Sequence, residues 1–167
     1  MRHARDSSDG AKEDAMPEYK GMNLIMPKGD RENRPYFEAA RQGRLTPRRC
    51  GDCGLLRYLP GSGCPYCSSL ASDWVEVSGR GTIHSYEIVT QAIQPGFADW
   101  VPYAVVLVEL DEQRGVPSAD EAIRIIANLV TPDFRPEDQA KCGIGLRVRA
   151  VFQPGRRGGP APVHPHR

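Results

Sequence analysis

Two cysteine pairs, Cys50-Gly51-Asp52-Cys53 and Cys64-Pro65-Tyr66-Cys67, stand with ten residues between them, and no other feature of the chain limits its fold as tightly. A Cys-x-x-Cys turn places two thiolates on one side of an ion, and a tetrahedral Zn²⁺ takes four soft ligands at about 2.3 Å. The stretch from Gly54 to Gly63 is long enough to carry the chain out and back, so the second pair can close the site. Gly51, Gly54, Gly63 and Pro65 let the backbone curl until its N–H groups face the sulfurs. With thiolates at all four positions, nothing is left open for water or substrate, so the metal is architectural. The spacing predicts a zinc ribbon with Cys50, Cys53, Cys64 and Cys67 as ligands.

Three other readings compete. Disulfides are disfavoured, because Met1-Arg2-His3-Ala4-Arg5-Asp6 opens the chain without an apolar core segment and a reducing, cytoplasmic setting is expected. A thioredoxin-type redox motif would carry one pair beside a βαβ pattern, not two matched pairs. A rubredoxin-like iron site is the main remaining alternative, since Cys₄ geometry suits both metals. Cys142, the fifth cysteine, reads as a small half-buried apolar residue.

The 167 residues carry a formal net charge of +1 with 26% charged residues, which fits one ordinary domain or two small ones and does not call for nucleic acid. No apolar run approaches the roughly 18 residues that span a bilayer, so a membrane protein is excluded. Residues 1–31 and 155–167 are expected to be flexible from their polar, Pro- and Gly-rich composition. His164 and His166 in the tail read as solvated. Between the ends, a helix plus ribbon over 32–73 and an OB-fold barrel over 74–154 are expected.

The helix is bounded by Pro35 in its first turn and Gly43 at its stop, and it carries adjacent Tyr36 and Phe37. Those rings point about 100° apart, so one can pack inward while the other seeks a partner. Beyond the ribbon, Trp74 to Val77 and Thr82 to Thr90 read as a long strand with a bend at the Gly79-Arg80-Gly81 segment. Tyr103 to Leu110 is near-continuously apolar and suggests burial on both faces. Ala122 to Val130 reads as a returning strand. Leu146 to Phe152 alternates cleanly, with Leu146, Val148, Ala150 and Phe152 inward and Arg147 and Arg149 outward. Strands at this spacing predict a mainly β protein with a small antiparallel barrel, although a sandwich would read alike.

The order of these parts resembles the zinc-ribbon OB-fold family associated with acyl-CoA metabolism. The resemblance rests on Pro35-Tyr36-Phe37-Glu38-Ala39-Ala40, the run from Arg49 through Cys67, Gly79 to Tyr86, Pro102 to Leu110, and Gly145-Leu146-Arg147-Val148. It covers about Pro35 to Pro154. Membership implies an accessory, non-catalytic subunit that partners thiolase-superfamily enzymes. These include lipid-transfer-protein-type aldolases that cleave steroid-derived acyl-CoA side chains, and some hydratases and acyltransferases. Residues 113–121 form an insertion in a hairpin that is usually short in that family.

The residues themselves show no triad, carboxylate pair or phosphate loop. His84 reads as a hydrogen-bonded strand residue before it reads as a base. Arg44, Arg48, Arg49 and Arg57 crowd the ribbon, where they can offset the −2 charge of a Zn(Cys)₄ centre, attract CoA phosphates or meet an acidic partner. Tyr36, Phe37, Arg48 and Arg49 are the candidate docking residues; Arg80, His84, Arg147 and Arg149 are the candidate acyl-CoA contacts. The expected function is a subunit of an acyl-CoA aldolase complex that docks the catalytic chain and helps enclose the thioester. The alternatives are a single-stranded nucleic-acid binder, against which the near-zero charge stands, and a free-standing acyl-CoA binder.

Overall fold

The computed structural model describes residues 32–58 and 61–152, together with the backbone of three short paired segments outside them. Two of these, β1 (Glu18–Tyr19) and β2 (Met22–Asn23), pair with each other; the third, β10 (Val163–Pro165), lies antiparallel to β9. The rest of 1–31 and 155–167, on which flexibility is expected, lies outside the described residues.

Helix α1 spans Arg34–Arg41, with Pro35 in its first turn and the basic Arg41 in its last, where a cation faces the negative end of the helix dipole. Gln42 caps it and Gly43 follows, as the sequence predicts. Tyr36 and Ala39, three residues apart, share the buried face. The chain then forms a small antiparallel sheet of β3 (Arg48–Cys50), β4 (Leu56–Arg57) and β5 (Ser72–Trp74) in the order β4-β3-β5. Trp74 pairs with Arg48 at the end of β5.

The second sheet comprises β6 (Arg80–Val89), β7 (Tyr103–Leu110), β8 (Arg124–Asn128), β9 (Arg147–Ala150) and β10, in the order β10-β9-β6-β7-β8. It curls into an OB-like half-barrel. The register of β6 against β7 slips between Ile83 and Ser85, so His84 sits in a bulge that bends the longest strand. Before the bulge β6 is flanked by both β9 and β7, and beyond it by β7. Burial along β7 alternates strictly: Ala104, Val106, Val108 and Leu110 point into the core, while the opposite face is half-buried rather than sealed. The β9 alternation is as expected, with Val148 fully buried between exposed Arg147 and Arg149.

Two cores result. One fills the half-barrel with Ile83, Ala104, Val106, Val108, Ala127, Leu129 and Val148, with Cys142 packed at its margin. The other draws Tyr36 from the helix, Leu45 and Leu56 from the ribbon, and Leu110, Ile123 and Ile125 from the barrel into one cluster. Ribbon and barrel therefore do not hang together by a linker alone. They share apolar surface whose removal from water holds them in register.

Candidate metal centre and its surroundings

Each cysteine pair sits in a tight knuckle. In the first, the Cys50 N–H donates to Leu55 O (2.9 Å) and the Gly54 N–H to Cys50 O (3.1 Å); in the second, the Cys64 N–H donates to Ser69 O (2.8 Å) and the Ser68 N–H to Cys64 O (2.9 Å). The residue after each second cysteine takes positive φ: Gly54 at 73° and Ser68 at 60°. Only the first knuckle uses the residue that adopts this backbone without a Cβ penalty.

The two knuckles bring their sulfurs together. Cys50 Sγ lies 3.6 Å from Cys67 Sγ and Cys53 Sγ 3.6 Å from Cys64 Sγ, and all four lie within 4.8 Å of one another. A tetrahedron with metal–sulfur bonds of about 2.3 Å has edges of about 3.8 Å, so the donor set fits one ion without rearrangement. Backbone N–H groups address the sulfurs. Those of Cys53 and then Asp52, against an opposing effect of burial, hold the Cys50 thiol down to about 6. For Cys53 the Leu55 N–H also lowers the pKa, but burial and the crowding of the Cys64, Cys50 and Cys67 thiols outweigh it and push the group to about 12. Four thiols at this spacing shed their protons one against another, and a divalent cation relieves that competition. The centre is closed and structural.

The ribbon arginines divide by partner. Arg44 faces Glu76 at 3.5 Å. Arg48 donates from Nη1 to Glu32 Oε2 (2.8 Å) and Gly61 O (3.0 Å), with its guanidinium 5.3 Å over the Trp74 ring. Arg49 is exposed, whereas Arg57 is buried. Of the two helix aromatics, Tyr36 is turned inward at 7% exposure and packs on Tyr58 and Phe37, while Phe37 is half-buried.

On the barrel, Arg80 pairs across the strands with Arg149, and Thr82 with Arg147, so these residues share one outer face. Arg147 is engaged there: its guanidinium forks onto both carboxylate oxygens of Asp111 and also donates to Thr82 Oγ1. Arg114 reaches the same carboxylate at 2.8 Å. His84 lies apart, in the bulge, with Nδ1 3.9 Å from Glu109 Oε2 and its side chain 45% exposed.

The hydrogen bond from Arg147, opposed by burial and then supported by Arg114 and the charge of both cations, lowers the Asp111 carboxyl to about 2. A folded-state pKa below the unfolded one contributes stability above the unfolded value, near 3.8, and loses it as pH falls toward 2. The carboxylate is near the surface, so screening reduces the contribution to roughly 1 kcal/mol. Unfolding titrations of the natural protein and of Asp111→Asn should differ by that amount near neutrality and converge as pH approaches about 2. A gap that persists unchanged into acid would contradict this assignment.

Sequence reasoning missed the part played by 113–121. Gln113 is 5% exposed and its amide clasps one residue of the ribbon: Oε1 accepts from the Leu56 N–H (2.5 Å) and Nε2 donates to Leu56 O (3.2 Å). The side chain thus completes the edge of β4 as a neighbouring strand would. Nearby, the Tyr66 hydroxyl of the second knuckle donates to Glu121 O (2.9 Å). The segment that reads as an insertion is the strap between barrel and ribbon. Gln113→Ala leaves a buried N–H and a buried C=O without partners and should cost about 3 kcal/mol in urea unfolding. A cost below about 1 kcal/mol would show that the clasp does not bear on stability.

Comparison with known proteins covers most of the described chain. Residues 37–72 match the family model described as "ChsH2, rubredoxin-like zinc ribbon domain", and residues 74–153 that described as "ChsH2, C-terminal OB-fold domain". A "Probable enoyl-CoA hydratase alpha subunit" of Thermomonospora curvata is 41% identical over 101 residues, covering 60% of this chain and 28% of that protein. A "3-oxo-4,17-pregnadiene-20-carboxyl-CoA hydratase alpha subunit" of Mycobacterium tuberculosis is 28% identical over 129 residues, 77% of this chain and 36% of that one. The chain thus spans about a third of the length of these curated relatives. It superposes on a chain of the solved "Ltp2-ChsH2(DUF35) aldolase" with a TM-score of 0.66 at 34% identity, covering 83% of this chain and 98% of that one.

Proposed function

This chain belongs to the ChsH2 family of rubredoxin-like zinc ribbon and OB-fold domains, and from that premise we propose that it is the accessory subunit of a thiolase-superfamily enzyme, a retro-aldolase acting on the side chain of a steroid-derived acyl-CoA. The observation that carries the reading is the likeness to a chain of an aldolase complex over nearly the whole of that chain. Retro-aldol cleavage needs a base for the β-hydroxyl and a site that stabilises the enolate. Among the described residues, the one cluster of metal-ligating groups is the closed Cys₄ centre, which offers no open coordination position. In this reading the base and the enolate site belong to the catalytic chain.

The geometry gives the accessory role specific residues. Arg80 and Arg149 stand side by side on the outer face of β6 and β9; two exposed guanidinium groups on adjacent strands suit the phosphates of a CoA. Arg147, committed to Asp111, positions that face instead of meeting substrate. His84, 45% exposed on the bulge, is among the residues that line a small cleft with Thr82 and Arg114. For docking, inward-turned Tyr36 braces the helix from below, Arg48 is fixed by Glu32 and Trp74, and Phe37 and Arg49 remain to meet a partner. The test is co-expression with a candidate thiolase-like subunit, followed by affinity purification and mass analysis. A complex of defined ratio supports the reading, weakened by Arg49→Glu and, through charge reversal at the CoA face, slowed in turnover by Arg80→Glu. Purification of this chain alone, with the candidate subunit expressed and soluble, would count against it.

A further inference from the structure

The longest strand of the barrel, β6, is flanked on both sides for only part of its length. Up to the bulge it lies between β7 and β9, and Ile83 makes its last bonds on the β9 side: the Ile83 N–H donates to Leu146 O (2.9 Å) and the Gly145 N–H to Ile83 O (2.8 Å). Residues 85–89 pair with β7 alone, and among the described residues no backbone hydrogen bond reaches their other edge. Exposure changes with the pairing. Gly81 and Ile83 are buried, whereas Ser85, Tyr86 and Glu87 are exposed. Tyr86 and Ile88 stand opposite Val106 and Ala104, both fully buried, and so face the core side of the sheet, yet Tyr86 is 42% exposed and Ile88 half-buried. Ser85, Glu87 and Val89 share the outer face with Leu107, Val105 and Tyr103.

A row of unpaired N–H and C=O groups along an exposed strand is a template for another strand, and proteins usually defend it. The other edges of this sheet are defended. β10 is three residues long and ends on Pro165, and past the end of β8 the Glu137 N–H closes onto Leu129 O (3.2 Å). Residues 85–89 contain no proline, reach an ordinary strand length, and carry the aromatic and β-branched side chains that suit a sheet. Glu87 decides which strand this edge accepts. It is exposed, and among the described residues no cation pairs with it. A second copy of this chain is a poor occupant, because a two-fold antiparallel pairing of the edge sets Glu87 opposite or diagonal to its own duplicate, where like charges repel. The complement is a foreign strand with a cation on its outer face. We infer that the free edge of β6 over residues 85–89 takes an extended segment of the thiolase-superfamily subunit as a further strand, with a lysine or arginine facing Glu87 and apolar residues beside Tyr86 and Ile88. Main-chain hydrogen bonds then supply the affinity and the side chains the selectivity. This rests on the accessory-subunit reading and adds to it a docking edge on the barrel, apart from Phe37 and Arg49.

The test is amide hydrogen exchange, read by mass spectrometry on the zinc-loaded full chain alone and in its purified complex with the candidate thiolase-like subunit. Exchange over residues 84–90 should slow at least about tenfold in the complex, as unpaired edge amides gain partners. Exchange over residues 106–110 of β7, already paired on both sides, should not change. Glu87→Lys should weaken the complex at least about tenfold and Glu87→Gln by a smaller factor, the difference shrinking at high salt, with one zinc per chain retained in both as proof of folding. A complex that forms and is weakened by Arg49→Glu, but leaves residues 84–90 exchanging as in the free chain, would overturn the strand addition while the accessory role stands. Failure to form any complex would overturn both. Protection of residues 84–90 that rises with the concentration of this chain alone, together with a dimeric mass, would assign the edge to a second copy and overturn the foreign strand. Binding of Glu87→Lys as tight as that of the natural chain would overturn the charge match.

Discussion

Cys64→Ser should yield a chain that retains no zinc and loses its ribbon. Structural zinc contributes on the order of 10 kcal/mol to the folding of comparable ribbons, and a Cys₄ centre with one ligand removed cannot recover it from a hydroxyl, which is a far poorer donor to this metal. The knuckles have little else to hold them. Outside the metal centre they rely on short turn hydrogen bonds and a three-stranded sheet of two- and three-residue strands. The damage should spread, because Leu45 and Leu56 of the ribbon lie in the same buried cluster as Leu110, Ile123 and Ile125 of the barrel. Metal analysis of the purified protein should fall from one zinc per chain to none, and near-ultraviolet dichroism of the shared core should weaken with it. Cys142→Ser is the control. That residue packs half-buried against the barrel core, and burial alone raises its pKa; its loss should leave the zinc in place. Zinc retained by the Cys64 variant would contradict the four-ligand assignment.

The second large effect is expected at Gly81. A Cβ built there would fall 2.5 Å from Val108 Cγ1 and inside the contact distance of the Glu109 carbonyl oxygen. The obstruction is largely backbone, in the strand against which Gly81 is registered at Leu110, and on its other side Gly81 is registered with fully buried Val148. Neither neighbour can swing away as a flexible side chain would. Gly81→Ala must therefore push β6 from β7 at the point where the sheet is paired on both sides, and should cost about 3 kcal/mol or more. Gly81→Val should leave no cooperative unfolding transition by calorimetry. The glycine is present for the close approach of two strands. An alanine variant within about 0.5 kcal/mol of the natural protein would show that the strands separate freely there.

The metal centre was legible because ligand chemistry fixes both residue type and spacing: two knuckles that curl around one ion leave few ways to write the sequence. The helix was legible for a similar local reason, with Pro35 and Gly43 marking its ends. The alternation of β9 was legible because Val148 is fully buried while Arg147 and Arg149 on either side of it are exposed. What the sequence concealed depends on register and on contacts between distant segments. Trp74 follows the ribbon in the sequence, and nothing local shows that it pairs with Arg48 in the ribbon sheet. The uniform apolar run of β7 hides that one face is half-open. Gln113 has no local signature at all: a glutamine in a polar loop becomes a clasp only because the fold carries it to Leu56, 57 positions away. Arg57 is the same case in reverse. Beside Arg48, Arg49 and Arg44 it reads as one of several surface cations, and only burial separates it from them.

A chain of this kind either completes another protein's active site or has one of its own. The decisive measurement is the rate of side-chain cleavage of a steroid-derived β-hydroxyacyl-CoA by the proposed thiolase-like partner alone, by this chain alone, and by the two mixed at equal concentration. Turnover confined to the mixture, and lost when the Cys64→Ser variant replaces the natural chain, is the expected result. Turnover by this chain unaided, or by the thiolase-like subunit at the same rate with and without it, would contradict the assignment.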